Sequence, residues 1–177
     1  MSAVRPFNLL VSTYRNREDD CISELWYLFR ELGDDSVEAW RTSIPGLVAV
    51  KTRLDPFEAA KRLGSMASER PWDFRYVFKL TPIELVVPTD LSEIANSAQS
   101  LAERKISSSE TYRITVNKRA TLLGSREVIE AVASRIDRKV DLKNPDWIVL
   151  IEIVGSSTGI SVVRQGDVVS IAKILGR

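Results

Sequence analysis

Val140-Asp141-Leu142-Lys143-Asn144-Pro145-Asp146 runs directly into Trp147-Ile148-Val149-Leu150-Ile151-Glu152-Ile153-Val154. This stretch sets the organisation of the second half of the chain. Asn144 precedes a proline, which steers it away from helical backbone, so Asn144-Pro145 marks a turn. The residues after it are almost all apolar, the pattern of a strand buried on both faces. Gly155-Ser156-Ser157-Thr158-Gly159 then supplies a turn, and ISVV and DVVSIAKI read as the final strands. Upstream, Tyr112, Ile114 and Val116 alternate with Arg113, Thr115 and Asn117, a half-buried strand. Between the two strands Ser125 can cap a helix with Val128, Ile129, Val132, Ala133 and Ile136 on its apolar side. Before them, Asp90 with Glu93 makes a capping pair for a helix striped by Leu91, Ile94, Ala95, Ala98, Leu101 and Ala102.

The first half reads as a different succession of elements. NLLVSTYR, from Asn8 to Arg15, suits a strand. Asn16 is placed as the N-cap of a helix with Asp19 at N3, and Glu18, Asp19 and Asp20 sit where the helix dipole favours anions. Ile22, Leu25, Trp26, Phe29 and Leu32 carry the apolar stripe, and Gly33 closes the helix. SVEAWRTSI and LVAVKTRL flank Pro45-Gly46 as a hairpin. Asp55-Pro56-Phe57-Glu58 starts a helix with an N-cap, a proline at N1 and an acid at N3. Trp72, Phe74, Tyr76, Phe78 and Leu80 alternate with Asp73, Arg75, Val77 and Lys79 and predict a half-buried strand with a core face. The order is β-α-β-β-α-β, a ferredoxin-like layout of helices on an antiparallel sheet. The fold class is α+β, divided at Pro88 into residues 1–88 and 89–177, and the two halves show no internal repeat.

Bulk properties narrow the class without naming a partner. A length of 177 residues suits two small units, and 44% hydrophobic with 28% charged residues describes an ordinary globular chain. No apolar run approaches the roughly 20 residues of a membrane span. The start, MSAVRPFNLLVSTYRNRE, has no long apolar segment before charges intervene, so no leader is expected. Cys21 stands alone, which leaves no internal disulfide and leads to a cytoplasmic expectation. Net charge is +1, but residues 1–90 hold 12 Lys/Arg against 14 Asp/Glu and residues 91–177 hold 13 against 10. The second half is therefore the side that would meet an anion.

From Glu110 to Ile174 the sequence resembles a THUMP domain. The residues that carry the likeness are Tyr112-Arg113-Ile114-Thr115-Val116-Asn117-Lys118-Arg119, the helix at Ser125, and above all Val140-Asp141-Leu142-Lys143-Asn144-Pro145-Asp146 before the strand IVLIEI. The first half is similar to the ferredoxin-like domain that precedes THUMP, and the combination resembles the adaptor subunit of the tRNA cytidine acetyltransferase system. The resemblance implies binding of tRNA at its acceptor-stem end and presentation to a separate modifying enzyme, an acetyltransferase first. Its other branch is the RNA-binding subunit of a split thiolation or methylation enzyme. The competing reading is a protein-interaction or small-ligand module without RNA.

Cations that would face phosphate fall in three groups, each with a plainer reading beside it. Arg135, Arg138 and Lys139 are spaced for one helix face, with Lys143 after them; such clusters hold phosphates by Coulomb attraction and counterion release, or simply line a solvated helix end. Lys118 and Arg119 end a strand before TLLGSR, with Arg126 at the next helix start. That place suits a phosphate, and equally a charged strand end that discourages edge pairing. Arg104 and Lys105 close the preceding helix and extend the same surface. The aromatic run from Trp72 to Phe78 fits core better than a base-stacking platform, because the Lys/Arg-Gly-aromatic signature of such sheets is missing. Glu18, Asp19 and Asp20 read as capping rather than as a metal cluster, and Cys21 has no histidine partner. The sequence holds no G-x-G-x-x-G and no P-loop. It also ends soon after Ile174. The expectation is a non-catalytic chain with no cofactor, no metal and no membrane partner.

Overall fold

The computed structural model describes residues 4–177; Met1–Ala3, and with them the start of the segment read for a leader, lie outside the described residues. The chain forms two compact units. One gathers residues 7–83 with 166–177, and the other residues 84–165 with the described residues 4–6. The boundary drawn at Pro88 therefore shifts to Ile83/Glu84, and the last twelve residues join the first unit rather than the second.

In the first unit, β1 (Leu9–Ser12), α1 (Glu18–Glu31), β2 (Glu38–Arg41), β3 (Leu47–Lys51), α2 (Pro56–Glu69) and β4 (Lys79–Pro82) follow in order. Ahead of the closing strand and helix comes the second unit: β5 (Leu85–Pro88), α3 (Leu91–Lys105), β6 (Thr111–Arg119), α4 (Ser125–Ala133), β7 (Lys139–Val140), β8 (Trp147–Val154) and β9 (Ser157–Val163). The chain closes with β10 (Val169–Ser170) and α5 (Ile171–Ile174). The first sheet has the order β10-β4-β1-β3-β2 with every pair antiparallel. Its core packs Leu9, Val11, Val48, Val50 and Leu80 against Leu25, Phe29 and Leu63. Each fully buried aliphatic side chain of this kind contributes about 1.5–3 kcal/mol.

Most helix starts follow their local signals. Asp55 accepts from Phe57 N and Glu58 N with Pro56 at N1, and Asp90 accepts from Glu93 N. Gly33 ends α1 with φ of 97°, which a residue with a Cβ adopts only at a cost. Two starts differ. Arg17, not Asn16, is the N-cap of α1, and Gly124, not Ser125, that of α4, where the Glu127 carboxylate accepts from Gly124 N. Glu18 does more than complement the dipole: its buried carboxylate accepts from Gly46 N at 2.8 Å and pairs with Arg41, tying α1 to the β2–β3 hairpin.

The predicted strand from Trp72 to Leu80 begins only at Lys79. Pro71–Asp73 is a short 3-10 turn, and Trp72 is 72% exposed, so its core assignment is overturned. The cause is non-local. The Glu24 carboxylate on α1 accepts from Arg75 N, Tyr76 N and Val77 N at 2.8, 3.0 and 2.8 Å, taking the donors a strand ladder would need. Trp26, expected on the apolar stripe of α1, is half exposed, and Ile129 of α4 is partly so. DVVSIAKI is a two-residue strand followed by α5, which Ser170 caps through Lys173 N.

The second sheet runs β5-β9-β8-β6-β7. β8 lies between β6, parallel, and β9, antiparallel, through a two-residue turn at Gly155-Ser156. Tyr112, Val149, Ile151, Ile153, Ile160 and Val162 pack under Ile94, Ala98, Leu101 and Val128 from α3 and α4. This unit keeps the expected helix-strand-helix-strand-strand succession through β9 and adds the short strand β7, which the sequence did not suggest. Among the described residues no helix is long and apolar enough to cross a membrane.

Candidate nucleic-acid interface

Strand β6 is the axis on which the predicted cations are laid out. Its residues rise about 3.3 Å each, so Thr111 and Arg119 stand roughly 26 Å apart. Lys118, Arg119 and Arg126 belong to one end, Lys139 and Lys143 to the other. The nine cations singled out from sequence therefore do not form one patch.

Their bonding separates them further. Arg119 donates to the Glu152 carboxylate at 3.0 Å and to Ile153 O at 3.3 Å; Glu152 is 2% exposed and also accepts from Asn117 Nδ2. That cation holds the sheet together. Lys105 Nζ donates to Glu84 at 2.9 Å and to Val162 O at 2.6 Å, which fastens α3 to β5 and β9. Arg104 lies exposed against Ser100 O. Arg126 is 92% exposed with Glu130 at 3.9 Å, and exposed Lys118 reaches Leu123 O at 3.2 Å.

The expected helix face of Arg135, Arg138 and Lys139 does not exist, because α4 ends at Ala133. Unwinding there buries Ile136 and lets Lys139–Val140 pair in parallel with Thr111–Tyr112. Arg135 bonds Asn96, Arg138 donates to Ile106 O at 2.9 Å, and Lys139 stands on the sheet edge.

The stretch from Val140 to Asp146 builds its own loop. Asp141 accepts from Lys143 N and Asn144 N at 3.1 and 3.0 Å. Those N–H groups, Asn144 first, hold its carboxyl below the usual carboxylate range. Asp146 accepts from Thr111 N at 2.8 Å and from the Thr111 hydroxyl, joining the starts of β8 and β6. Both acids of the loop are thus turned onto backbone and hydroxyl donors. Leu142 and Lys143 project outward.

Beside this loop lies a cleft of about 280 Å³ lined by Arg113, Lys143, Asn144, Pro145, Ile148 and Gln165. In sequence Arg113 is only the polar phase of a strand. Its position on the β6 face opposite Tyr112, in a chain that turns at Asn144-Pro145, is the one signal available. A second network stiffens the neighbourhood. Glu110 accepts from Ser107 N and from Trp147 Nε1, both at 3.0 Å, and pairs with Arg164, whose guanidinium stacks 3.8 Å from the Trp147 ring centre. The Ser107 N–H and the Trp147 indole N–H pull the Glu110 carboxyl down to about 2.

Residues 88–163 match the THUMP domain. The match starts upstream of Glu110 and stops at Val163, short of Ile174. No curated protein matches the sequence. Among solved structures the chain is similar to PH1313 from Pyrococcus horikoshii Ot3, with 22% identity and TM-score 0.60 over 88% of this chain and 54% of that one. It is also similar to TrmN from Thermus thermophilus, with 19% identity and TM-score 0.59 over 87% and 44%. A third is a 4-thiouridine synthetase solved with RNA and ATP, with 13% identity and TM-score 0.55 over 90% and 42%. At these identities the likeness is one of fold, and the chain spans about half the length of the structures it matches.

Proposed function

Given a THUMP domain at residues 88–163, we propose that the chain binds tRNA and presents it to a separate modifying enzyme. The domain itself is the observation that carries this reading. Two further features support it: the cations left at the ends of β6, and the RNA held by the 4-thiouridine synthetase that shares the fold. The first unit is read as ferredoxin-like, supported by its antiparallel order β4-β1-β3-β2 with two helices on one core. In mechanism, phosphate contacts position the RNA by shape and by its acceptor-stem end, without base readout. Cytidine N-acetylation is the reaction proposed for the partner, in the cytoplasm. The chain itself is proposed to do no chemistry. In keeping with that, burial lifts the Cys21 thiol to about 12, which leaves it a poor nucleophile.

The test is a titration of tRNA, and of a duplex lacking a single-stranded 3′ end, at several salt concentrations. Log affinity should fall linearly with log salt, by about 0.7–0.9 per contacted phosphate, and tRNA should bind more tightly. Equal binding of both sinks end recognition, and binding of neither sinks the RNA reading. The purified chain should modify no tRNA with acetyl-coenzyme A or S-adenosylmethionine, while an added acetyltransferase should gain apparent tRNA affinity from it. Turnover by the chain alone overturns the adaptor role. Stimulation of a thiolating or methylating enzyme instead keeps the RNA role and discards acetylation.

A further inference from the structure

On the second unit Arg104, Lys118, Arg135 and Arg138 bond carbonyl or amide oxygens, and the cleft beside the Asp141–Asp146 loop gathers two cations with no acid in its lining. Lys105, Arg119, Arg126 and Arg164 each face a carboxylate, from Glu84, Glu152, Glu130 and Glu110. Arg113 and Lys143 face none among the described residues. None of the six residues lining the cleft is acidic, and the two acids closest in sequence to Lys143 are already occupied with backbone N–H groups and the Thr111 hydroxyl.

The Arg113 guanidinium makes one hydrogen bond among the described residues. Its Nη1 donates to Leu142 O at 3.3 Å. That bond uses one nitrogen and leaves the Nε/Nη2 edge without a partner among the described residues, Nε being buried and unbonded. A buried cationic donor left unpaired is costly unless something completes it. The Nε/Nη2 edge is the one that grips two oxygens of a phosphate at once, which a lysine cannot imitate. Lys143 adds a mobile point charge, and the Asn144 and Gln165 side-chain amides, which line the same cleft, can donate to further oxygens. Ile148 and Pro145 complete a lining that is otherwise polar.

We propose that this cleft is a phosphate site which seats one backbone phosphodiester of the bound RNA, with Arg113 as the bidentate anchor and Lys143 as the second charge. The inference rests on the tRNA-binding reading and fixes a point of that contact. It also gives the Asp141 and Asp146 hydrogen bonds a use: they shape the loop while keeping both negative charges off the phosphate.

The experiment measures tRNA affinity against salt for the full chain and for Arg113→Gln, Arg113→Lys, Lys143→Gln and Arg126→Gln, with thermal melting to verify folding. Inorganic phosphate is titrated in parallel against the Arg113 Nε–H resonance. Arg113→Gln should lose at least about tenfold in affinity and flatten the log–log slope by about 0.7–0.9, one phosphate. Arg113→Lys should lose affinity with the slope kept, because charge remains and the fork does not. Lys143→Gln should flatten the slope with a smaller loss. If Arg113→Gln and Lys143→Gln match the wild type while Arg126→Gln weakens binding, the cleft assignment is overturned and RNA binding stands. If the wild type binds no RNA yet inorganic phosphate shifts the Arg113 resonance, the backbone assignment is overturned in favour of a free phosphate group. If neither RNA nor phosphate is bound, both the cleft and the functional reading fall.

Discussion

The two ends of β6 carry arginines on the same face of the same strand in opposite circumstances. Arg119 is locked to a buried carboxylate, Glu152, which also receives Asn117. Arg113, six residues earlier, holds one carbonyl and leaves the rest of its guanidinium unpaired among the described residues. The first end is wired for stability and the second is left charged. The number of cations on a surface therefore says less about anion binding than which of them the fold has already neutralised.

The largest effect expected from this contrast is on stability. Glu152→Ala removes the partner of Arg119 and Asn117 together and leaves a part-buried cation uncompensated. Breaking a buried pair from one side costs up to about 5 kcal/mol; here about 2–4 kcal/mol is expected, because a quarter of the Arg119 side chain still meets water. Arg113→Ala forfeits one carbonyl acceptor and should cost about 1 kcal/mol or less. Urea unfolding of both variants measures the difference, and a reversed order would show that Arg113, not the Arg119–Glu152 pair, is the structural cation of β6.

Glu110 offers an intermediate case, since its carboxylate serves Arg164 and structure at once. Its folded value lies near 2, below the ordinary 4.5. A depressed value means its contribution is fully present above about 4.5 and is lost as pH falls from there through 2. Glu110→Gln should thus be less stable than the parent at neutral pH, and the two should converge across that acid window. A gap that stays constant down to about pH 2 would assign the loss to shape rather than to charge.

The contrast along β6 is only partly legible in sequence. Where the governing interaction is local, residues announce their structure. Asp55-Pro56 and Asp90 with Glu93 start helices because cap and N-terminal turn are sequence neighbours. The run from Trp147 to Val154 is a central strand because only burial on both faces suits it. Where the deciding partner is remote, the pattern misleads. Trp72 to Val77 alternates like a strand, but Glu24 intercepts its backbone donors from about fifty residues away. The Arg135–Lys139 spacing looks helical, but pairing of Lys139–Val140 with β6 and burial of Ile136 end α4 early. Arg119 and Lys118 are adjacent and look equivalent, and it takes Glu152, across the sheet, to distinguish them. Arg113 is inconspicuous in sequence for the same reason: its isolation is a property of where the acids of other segments point.

The smallest effects should come from Lys118 and Arg126, at the Arg119 end but outside its ion pair. Arg126 is almost wholly exposed, with its Glu130 partner one helical turn away at 3.9 Å. Such a pair is worth a few tenths of a kcal/mol and less at physiological salt. Lys118 gives up a single carbonyl contact at 3.2 Å. Alanine at either position should therefore leave unfolding within about 0.5 kcal/mol of the parent. In the tRNA titration each should weaken all tRNAs alike and flatten the salt slope by up to about 0.9, because a point charge near a phosphate carries no sequence information. Arg119→Ala, their neighbour, should do the reverse, losing stability first. If Arg119→Ala instead melts normally and loses RNA while Lys118→Ala does nothing, the Glu152 pair does not bind Arg119 to a structural role, and this end of β6 belongs to the interface as much as the other.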